Sequence, residues 1–562
     1  KKKINIRFVK TVNGKKVRRH ELKEKDIILI ASSKIVYTSG MIVYNVAKSG
    51  ISVEARNVLK QVGKNKLTIC NNVNLTINPG ELVAIIGGSG AGKTSIMNCI
   101  SGYSTPTSGQ VLVNDVDLYD NYDALKYVIG YVPQQDIVYD NLTVFDMLKY
   151  SARLRLPKDV SNEEIEQIVT KVIDTVELSH KNDSMVRSLS GGQRKRASIA
   201  VELLTDPNLF FLDEPTSGLD PGTERNLVRT LKQMTCSGKT VILVTHSTLA
   251  MAEYDKIVFM GMGGKLCFAG NLQEALRFFE TDDIVNVYDM ITQDPDRWQA
   301  KYAQYRANRD VGVDSSAGRK EIHSSTKKGY FRQFGVLCSR YTHLPVNDKQ
   351  RILLLLGQAP LLAILVYLVA DSEDFANIYE SSISILFVYS CCGFWIGIMS
   401  ALQEICKERV ILKREYMTGM NIGSYILSKI TIQSVLCIIQ SFIMTLVLAF
   451  LVVIKDPDKK DAYFRPFLEN NNIEDFGMPP LIAFFITTSL TAISAAAMGL
   501  LVSAVFKNAD RVMTIAPLLL MPQILFSGML FPLDGVIKVV SYFINCRWAM
   551  ESYGSILGHN PV

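Results

Sequence analysis

Apolar and polar positions follow two different rhythms along this chain. Up to about residue 290, short fully apolar runs alternate with amphipathic stretches, the pattern of an α/β domain. Leu82–Ile86, Leu209–Leu212 and Thr240–Val244 are such runs, and each predicts a buried strand. Beyond Ile352 the rhythm changes to long windows without charge. Residues 352–370 give 19 such positions, 381–403 give 23, 430–454 give 25, 476–506 give 31 and 512–533 give 22. A helix crossing a bilayer needs about 20 apolar residues, so five spans are expected, the fourth over about 481–506. A buried soluble helix could account for one such window but not for five in series.

Four segments follow: a β-rich piece over 1–50, an α/β domain over 51–290, a linker and surface helix over 291–350, and an all-α membrane domain over 351–562. Residues 303–329 are polar and read as a linker. Tyr330–Asp348 mixes Phe331, Phe334, Leu337 and Tyr341 with basic residues, as a helix lying on a membrane surface does.

The 562 residues are 48% hydrophobic and 20% charged, and the mean hydropathy is +0.15. That excludes a disordered chain and argues against a fully water-exposed one. A net charge of +7 is too small to imply nucleic acid. The ten cysteines show neither metal-ligand spacing nor a disulfide framework, which points to a reducing compartment for the soluble part. The loop over 371–380 carries four acids and no base, whereas 404–420 carries Lys407, Arg409, Lys413 and Arg414. Basic loops stay in the cytoplasm. The N-terminal half is therefore expected there, with 371–380 and 455–479 outside.

Candidate chemistry sits at the strand ends. Gly87-Gly88-Ser89-Gly90-Ala91-Gly92-Lys93-Thr94, with Ser95 next, follows the first buried run and opens a helical pattern. This is a P-loop in strand–loop–helix context, whose backbone N–H groups and helix N-terminus suit phosphate. Lys93 is expected on the β/γ-phosphates and Thr94 on Mg²⁺. The second run ends in Asp213-Glu214, a metal-binding carboxylate and a general base for the attacking water. The third ends in Thr245-His246, placing His246 as a γ-phosphate contact.

Further motifs carry a family resemblance. Leu189-Ser190-Gly191-Gly192-Gln193 resembles the signature motif of ABC ATPases, Gln134 their Q-loop, Ser217-Gly218-Leu219-Asp220 their D-loop, and His246 their switch histidine. The motifs run in the family's order over residues 80–250, ahead of the membrane region. That order resembles the G subfamily of ABC half-transporters, the white and multidrug-resistance type. Glu404–Met420 resembles its coupling helix, and Phe526-Ser527-Gly528 its extracellular turn.

The resemblance implies a composite ATP site in which the P-loop of one chain faces Ser190, Gly191, Gly192 and Gln193 of another. It also implies a Mg²⁺ site at Thr94, Gln134 and Asp213, and a dimer that is either homomeric or heteromeric. An ATP-driven exporter in the plasma (inner) membrane follows. No charge lies mid-span, so the expected cargo is apolar or amphipathic. Phe387, Phe394, Trp395 and the stretch 521–530 are candidate cavity walls, with Met529 and Leu530 as an outer gate. The rival reading is a signalling ATPase gated through the N-terminal piece, with no cargo.

There are departures from the family pattern. Val62–Lys66 holds no aromatic residue to stack on adenine. Ser247-Thr248-Leu249 replaces the Gln-Pro-Arg common in eukaryotic members, which points to a prokaryotic one. The subfamily's sixth span is absent. Phe8–Val17 and Leu22–Asp26 resemble the second half of a forkhead-associated domain, whose partner would be a phosphothreonine. A β-hairpin extension of the ATPase is the alternative.

Overall fold

The computed structural model describes residues 11–12, 27–30, 33–38, 41–45, 50–63, 65–126, 128–156, 160–307, 329–369, 379–455, 480–529, 531, 533 and 535–556. The chain divides into two units, Lys1–Val138 with Thr143–Lys327, and Tyr139–Leu142 with Lys328–Val562.

The first unit opens with an antiparallel sheet of β1 (Thr11–Val12), β2 (Ile27–Ile30), β3 (Ser33–Thr38) and β4 (Met41–Asn45), in sequence order. Of the segments Phe8–Val17 and Leu22–Asp26 that resemble a forkhead-associated domain, all but Thr11 and Val12 lie outside the described residues. A second antiparallel sheet has the order β6-β5-β8-β9, built from β5 (Val53–Val62), β6 (Leu67–Ile77), β8 (Ser108–Val113) and β9 (Val116–Asp117).

The central sheet has the order β10-β11-β12-β7-β13-β14. Its strands are β7 (Leu82–Gly87), β10 (Ile129–Val132), β11 (Leu209–Asp213), β12 (Thr240–Val244), β13 (Lys256–Gly261) and β14 (Lys265–Gly270). Only β14 runs antiparallel. Every residue of β7, β11 and β12 is buried. Such continuous apolar strands suit the interior of a parallel sheet covered on both faces.

The helices of this unit are α1 (Lys93–Ile100), α2 (Tyr122–Leu125), α3 (Val144–Arg155), α4 (Asn162–Thr175), α5 (Gly191–Leu203), α6 (Pro221–Cys236), α7 (Leu272–Phe279), α8 (Ile284–Gln293) and α9 (Pro295–Ala307). A boundary at 290 falls inside α8. Phe278, Phe279 and Trp298 form an aromatic cluster with Phe259 and Phe268 of the β13–β14 hairpin. That packing carries the first unit through α9, which also takes the first residues of the expected linker.

The second unit contains α10 (Tyr330–Val346), α11 (Lys349–Val369), α12 (Tyr379–Ala401), α13 (Arg409–Met417), α14 (Ile422–Lys455), α15 (Pro480–Val505), α16 (Ala509–Leu525), α17 (Val536–Ser541) and α18 (Asn545–Ile556). Four helices among the described residues are long and apolar enough to cross a membrane. They correspond to the first four apolar windows. Among the described residues the fifth window is helical over 512–525, the later part of the 17-residue α16, which contains Pro517 and Pro522. Gly528, at φ 93°, then adopts a left-handed conformation, so an uncharged run to 533 does not continue the helix.

Small residues set the helix spacing. A Cβ on Gly397 of α12 would lie 2.0 Å from the Ala492 carbonyl oxygen of α15. Only glycine permits that approach between membrane helices. Leu353, Leu354 and Leu368 of α11 instead stand exposed, as side chains facing lipid do.

Charges are buried where the helices begin. Lys429 of α14 is 1% exposed, and its Nζ lies 2.9 Å from Glu404 Oε2 and 3.2 Å from Glu408 Oε2. Arg351 of α11 also pairs with Glu404. Arg340 of α10 makes two buried hydrogen bonds to Glu415 of α13, at 2.6 and 2.9 Å.

Candidate functional site

Four adjacent strands of the central sheet deliver the candidate residues at their carboxyl ends, where ligand sites of α/β sheets lie. Gly87 ends β7 and begins the P-loop, which turns into α1 at Lys93. Gly92 is left-handed at φ 83°, and a Cβ there would fall 2.3 Å from the Ile69 carbonyl oxygen of β6. The glycine is thus required by conformation and by space. The Lys93 ammonium donates to the carbonyl oxygens of Gly87 at 2.9 Å and Gly88 at 2.8 Å. Burial pushes its pKa down, against the pull of Glu214 and Asp213.

Asp213 ends β11 and is buried. Its Oδ1 accepts a hydrogen bond from the Thr94 hydroxyl at 3.1 Å, joining the β11 end to the P-loop helix. Burial pushes this carboxyl up, and the Thr94 hydroxyl holds it back. Hydroxyl and carboxylate oxygens are the hard donors that Mg²⁺ takes, so this pair fits the ion. Glu214 follows at φ 49°, a left-handed conformation costly for a side chain of its size. A backbone bond from its N–H to the Val244 carbonyl, at 3.0 Å, holds it there. Its carboxylate accepts from Gln134 Nε2 at 3.0 Å, and the other oxygen lies 3.0 Å from His246 Nε2. Gln134 stands just past β10 and His246 just past β12. Strand ends β7, β10, β11 and β12 thus bring together Lys93, Thr94, Gln134, Asp213, Glu214 and His246.

The remaining candidates stand apart. Ser190 caps α5 in a reciprocal arrangement. Its Oγ accepts from the Gln193 N–H at 3.4 Å, and Gln193 Oε1 accepts from the Ser190 N–H at 3.1 Å. Gly191 and Gly192 form the first turn. Among the described residues no hydrogen bond joins Ser190–Gln193 to Gly87–Ser95. Asp220 caps α6, its carboxylate accepting from Gly222 and Thr223. The Thr223 hydroxyl bond holds the Asp220 carboxyl below its usual range.

Lys195, on α5, has no place in the motif reading. Its Nζ donates to the carbonyl oxygens of Pro133 at 3.1 Å and Gln134 at 2.7 Å, and lies 3.7 Å from Asp136 Oδ1. It is 3% exposed. Lys195 therefore fastens the Gln134 segment to the helix that begins at the signature motif. Between Arg194 and Arg196 it reads in sequence as part of a solvated basic run.

A P-loop α/β domain followed by a helical membrane domain is thus the class that fold and site define. Residues 70–217 match the ABC transporter family, and 332–557 match the ABC-2 type transporter family. The chain belongs to the ABC transporters, in the arrangement that places the ATPase segment first, and it is an integral membrane protein. It is 30% identical over 554 residues to the ABC transporter ATP-binding/permease protein Rv1747 of Mycobacterium tuberculosis, covering 96% of this chain and 62% of that relative. It is 28% identical over 561 residues to a broad substrate specificity ATP-binding cassette transporter, ABCG2 of Sus scrofa, covering 88% and 81%. The chain thus spans 62% or less of the first curated relatives it matches. The dimeric structure of MJ0796, a bacterial ABC transporter cassette, is 28% identical with a TM-score of 0.37, covering 39% of this chain and 98% of that one.

Proposed function

We propose that this chain is one half of an ATP-driven exporter that moves an apolar or amphipathic compound out of the cell. Its ATPase unit faces the cytoplasm of the plasma membrane. The convergence of Lys93, Thr94, Gln134, Asp213, Glu214 and His246 at four neighbouring strand ends carries this reading. In the nucleotide-bound protein Lys93 leaves the Gly87 and Gly88 carbonyls for the β- and γ-phosphates. Backbone N–H groups from Gly88 to Ser95 surround the phosphate chain. Thr94, Asp213 and Gln134 would hold Mg²⁺, which would supply charge neutralisation on the phosphates. Glu214 takes the proton of the attacking water, and His246 orients Glu214 and contacts the γ-phosphate.

Ser190–Gln193 sit at an exposed helix start and act on the nucleotide of a second chain, with Asp220 beside that contact. A homodimer suffices, because one chain holds every motif. A heterodimer with a related chain works by the same geometry. Closure of the two ATPase units tilts the membrane helices between inward- and outward-facing states.

Glu214→Gln tests the catalytic assignment. It preserves the shape and one acceptor oxygen but removes the base. General-base catalysis contributes roughly 10²–10⁴-fold, so phosphate release should fall by that factor while ATP stays bound. Phosphate release at the rate of the unmodified protein overturns the assignment.

A further inference from the structure

Glutamines inside the membrane helices divide by what their amides do. Gln433 Nε2 of α14 donates to the Ser400 carbonyl of α12, and Gln523 Oε1 of α16 accepts from the Cys546 N–H of α18 at 3.1 Å. Each of these ties one helix to another. Gln358 of α11 and Gln440 of α14 lie well inside the uncharged windows 352–370 and 430–454. Gln440 is fully buried, and its Nε2 donates to the Leu355 carbonyl of α11 at 2.6 Å. Among the described residues its Oε1 is buried without a hydrogen-bond partner, as are Gln358 Nε2 and the Oγ of fully buried Ser441. Gln358 stands one helical turn beyond Leu355, so an unpaired acceptor from α14 and an unpaired donor from α11 belong to the same turn. Pro360 adds to this polarity, because it has no N–H to offer the Leu356 carbonyl.

Hydrocarbon supplies no water to compensate such groups, so each is costly where it stands. Packing alone does not explain them, since leucine fills a similar volume without the cost. A hydroxyl satisfies both amides at once: it donates to Gln440 Oε1 and accepts from Gln358 Nε2. An ammonium only donates, an ether only accepts, and a carboxylate finds no countercharge on Gln358, Gln440 or Ser441. Approach from the bilayer is open beside them. Gly357 is exposed, and a Cβ there would meet nothing within 4 Å. Leu354 and Leu361 of α11, with Ile439 and Phe442 of α14, are exposed apolar surface for the rest of an amphiphile.

We propose that Gln358 and Gln440 form a binding site between α11 and α14 for the uncharged hydroxyl of an amphipathic cargo. The hydroxyl bridges the two amides, and the apolar tail lies along the exposed leucines. This narrows the cargo class of the exporter and rests on that reading for transport, whereas binding itself does not.

A diazirine-bearing hexadecanol, photolysed without nucleotide in vesicles carrying the full chain, tests the site. Digestion and mass spectrometry should place the label on peptides containing Gln358 or Gln440. Hexadecanol should displace it roughly 2- to 12-fold better than hexadecyl methyl ether, the range of one net hydrogen bond, and hexadecane should not displace it. Gln358→Leu and Gln440→Leu should each remove the preference for the alcohol. Gln440→Leu also breaks the bond to Leu355, so Gln358→Leu decides; having lost only an unpaired donor, it should melt no lower than the unmodified protein. Equal displacement by alcohol, ether and alkane, labelling elsewhere only, or a lower melting temperature for Gln358→Leu overturns the site. In inverted vesicles ATP should drive uptake of the labelled alcohol. Hexadecanol held at the site but not moved, where other amphiphiles are moved, marks a resident bilayer alcohol and overturns the cargo assignment. Vesicles that move no amphiphile overturn the exporter reading instead, and leave the label map as it stands.

Discussion

Replacing Lys195 by methionine isolates what holds the Gln134 segment in place. Methionine keeps most of the volume and removes the charge and all three N–H donors. It leaves the Pro133 and Gln134 carbonyl oxygens without the partners now at 3.1 and 2.7 Å. Among the described residues Asp136 Oδ1 has no hydrogen-bond partner, and it would lose the ion pair with Lys195. Each buried group left unpaired costs about 1–3 kcal/mol, partly offset because the lysine no longer needs to be desolvated. A local net cost of about 2–4 kcal/mol follows. Burial already lowers the Lys195 pKa and raises that of Asp136, so neither group gains from standing alone.

The cost falls on residues 133–136, because α5 and β10 retain their own packing. Hydrogen exchange of the 130–138 backbone should therefore speed up by roughly 30- to 800-fold, the factor equivalent to 2–4 kcal/mol. The KM for ATP should rise as Gln134 loses its position beside Glu214. Lys195→Arg, which keeps charge and donors, should restore part of both. Unchanged exchange over 130–138 together with an unchanged KM would refute the positioning role.

Three further substitutions probe other parts of the chain. Burial raises the Asp213 pKa, so its charged form costs stability as pH rises through that value, and the cost is absent below the unfolded carboxylate pKa of about 3.9. Asp213→Asn should thus melt roughly 2–4 °C higher at neutral pH without nucleotide, yet lose Mg²⁺-dependent turnover, as thermal unfolding and phosphate release would show. At Arg340–Glu415, both groups are buried, and removing one leaves a bare charge. Arg340→Met should destabilise by about 3–5 kcal/mol, and adding Glu415→Leu should recover much of that loss, which a double-mutant cycle on denaturation midpoints would measure.

Sequence patterning exposed the ATPase half because its strands are short, wholly apolar and each followed directly by chemistry. Leu82–Gly87, Leu209–Asp213 and Thr240–Val244 could be read as buried strands, and they lie side by side as expected of one site. Pairing across the sheet could not be read, so the contacts of Glu214 with Gln134 and His246 emerge only in three dimensions. Lys195 stayed hidden because a buried lysine between two arginines has the local signature of a solvated surface. In the membrane half, hydropathy located the apolar windows but not the helix starts. Lys429 lies seven residues into α14, outside the window that began at 430; its partner Glu404, and Arg351, which also pairs with Glu404, fall just outside two other windows. Hydropathy also overran the end of α16 at Leu525, since the uncharged Gly528 just beyond it adopts a left-handed conformation that does not continue a helix.

Inverted membrane vesicles carrying the full chain offer the most direct measurement of coupling between the strand-end cluster and the membrane helices. With a panel of fluorescent amphiphiles outside, ATP should drive accumulation inside, and Glu214→Gln vesicles should accumulate none. Turnover of ATP with no amphiphile moved, or equal accumulation in the Glu214→Gln vesicles, would contradict an exporter driven from this site.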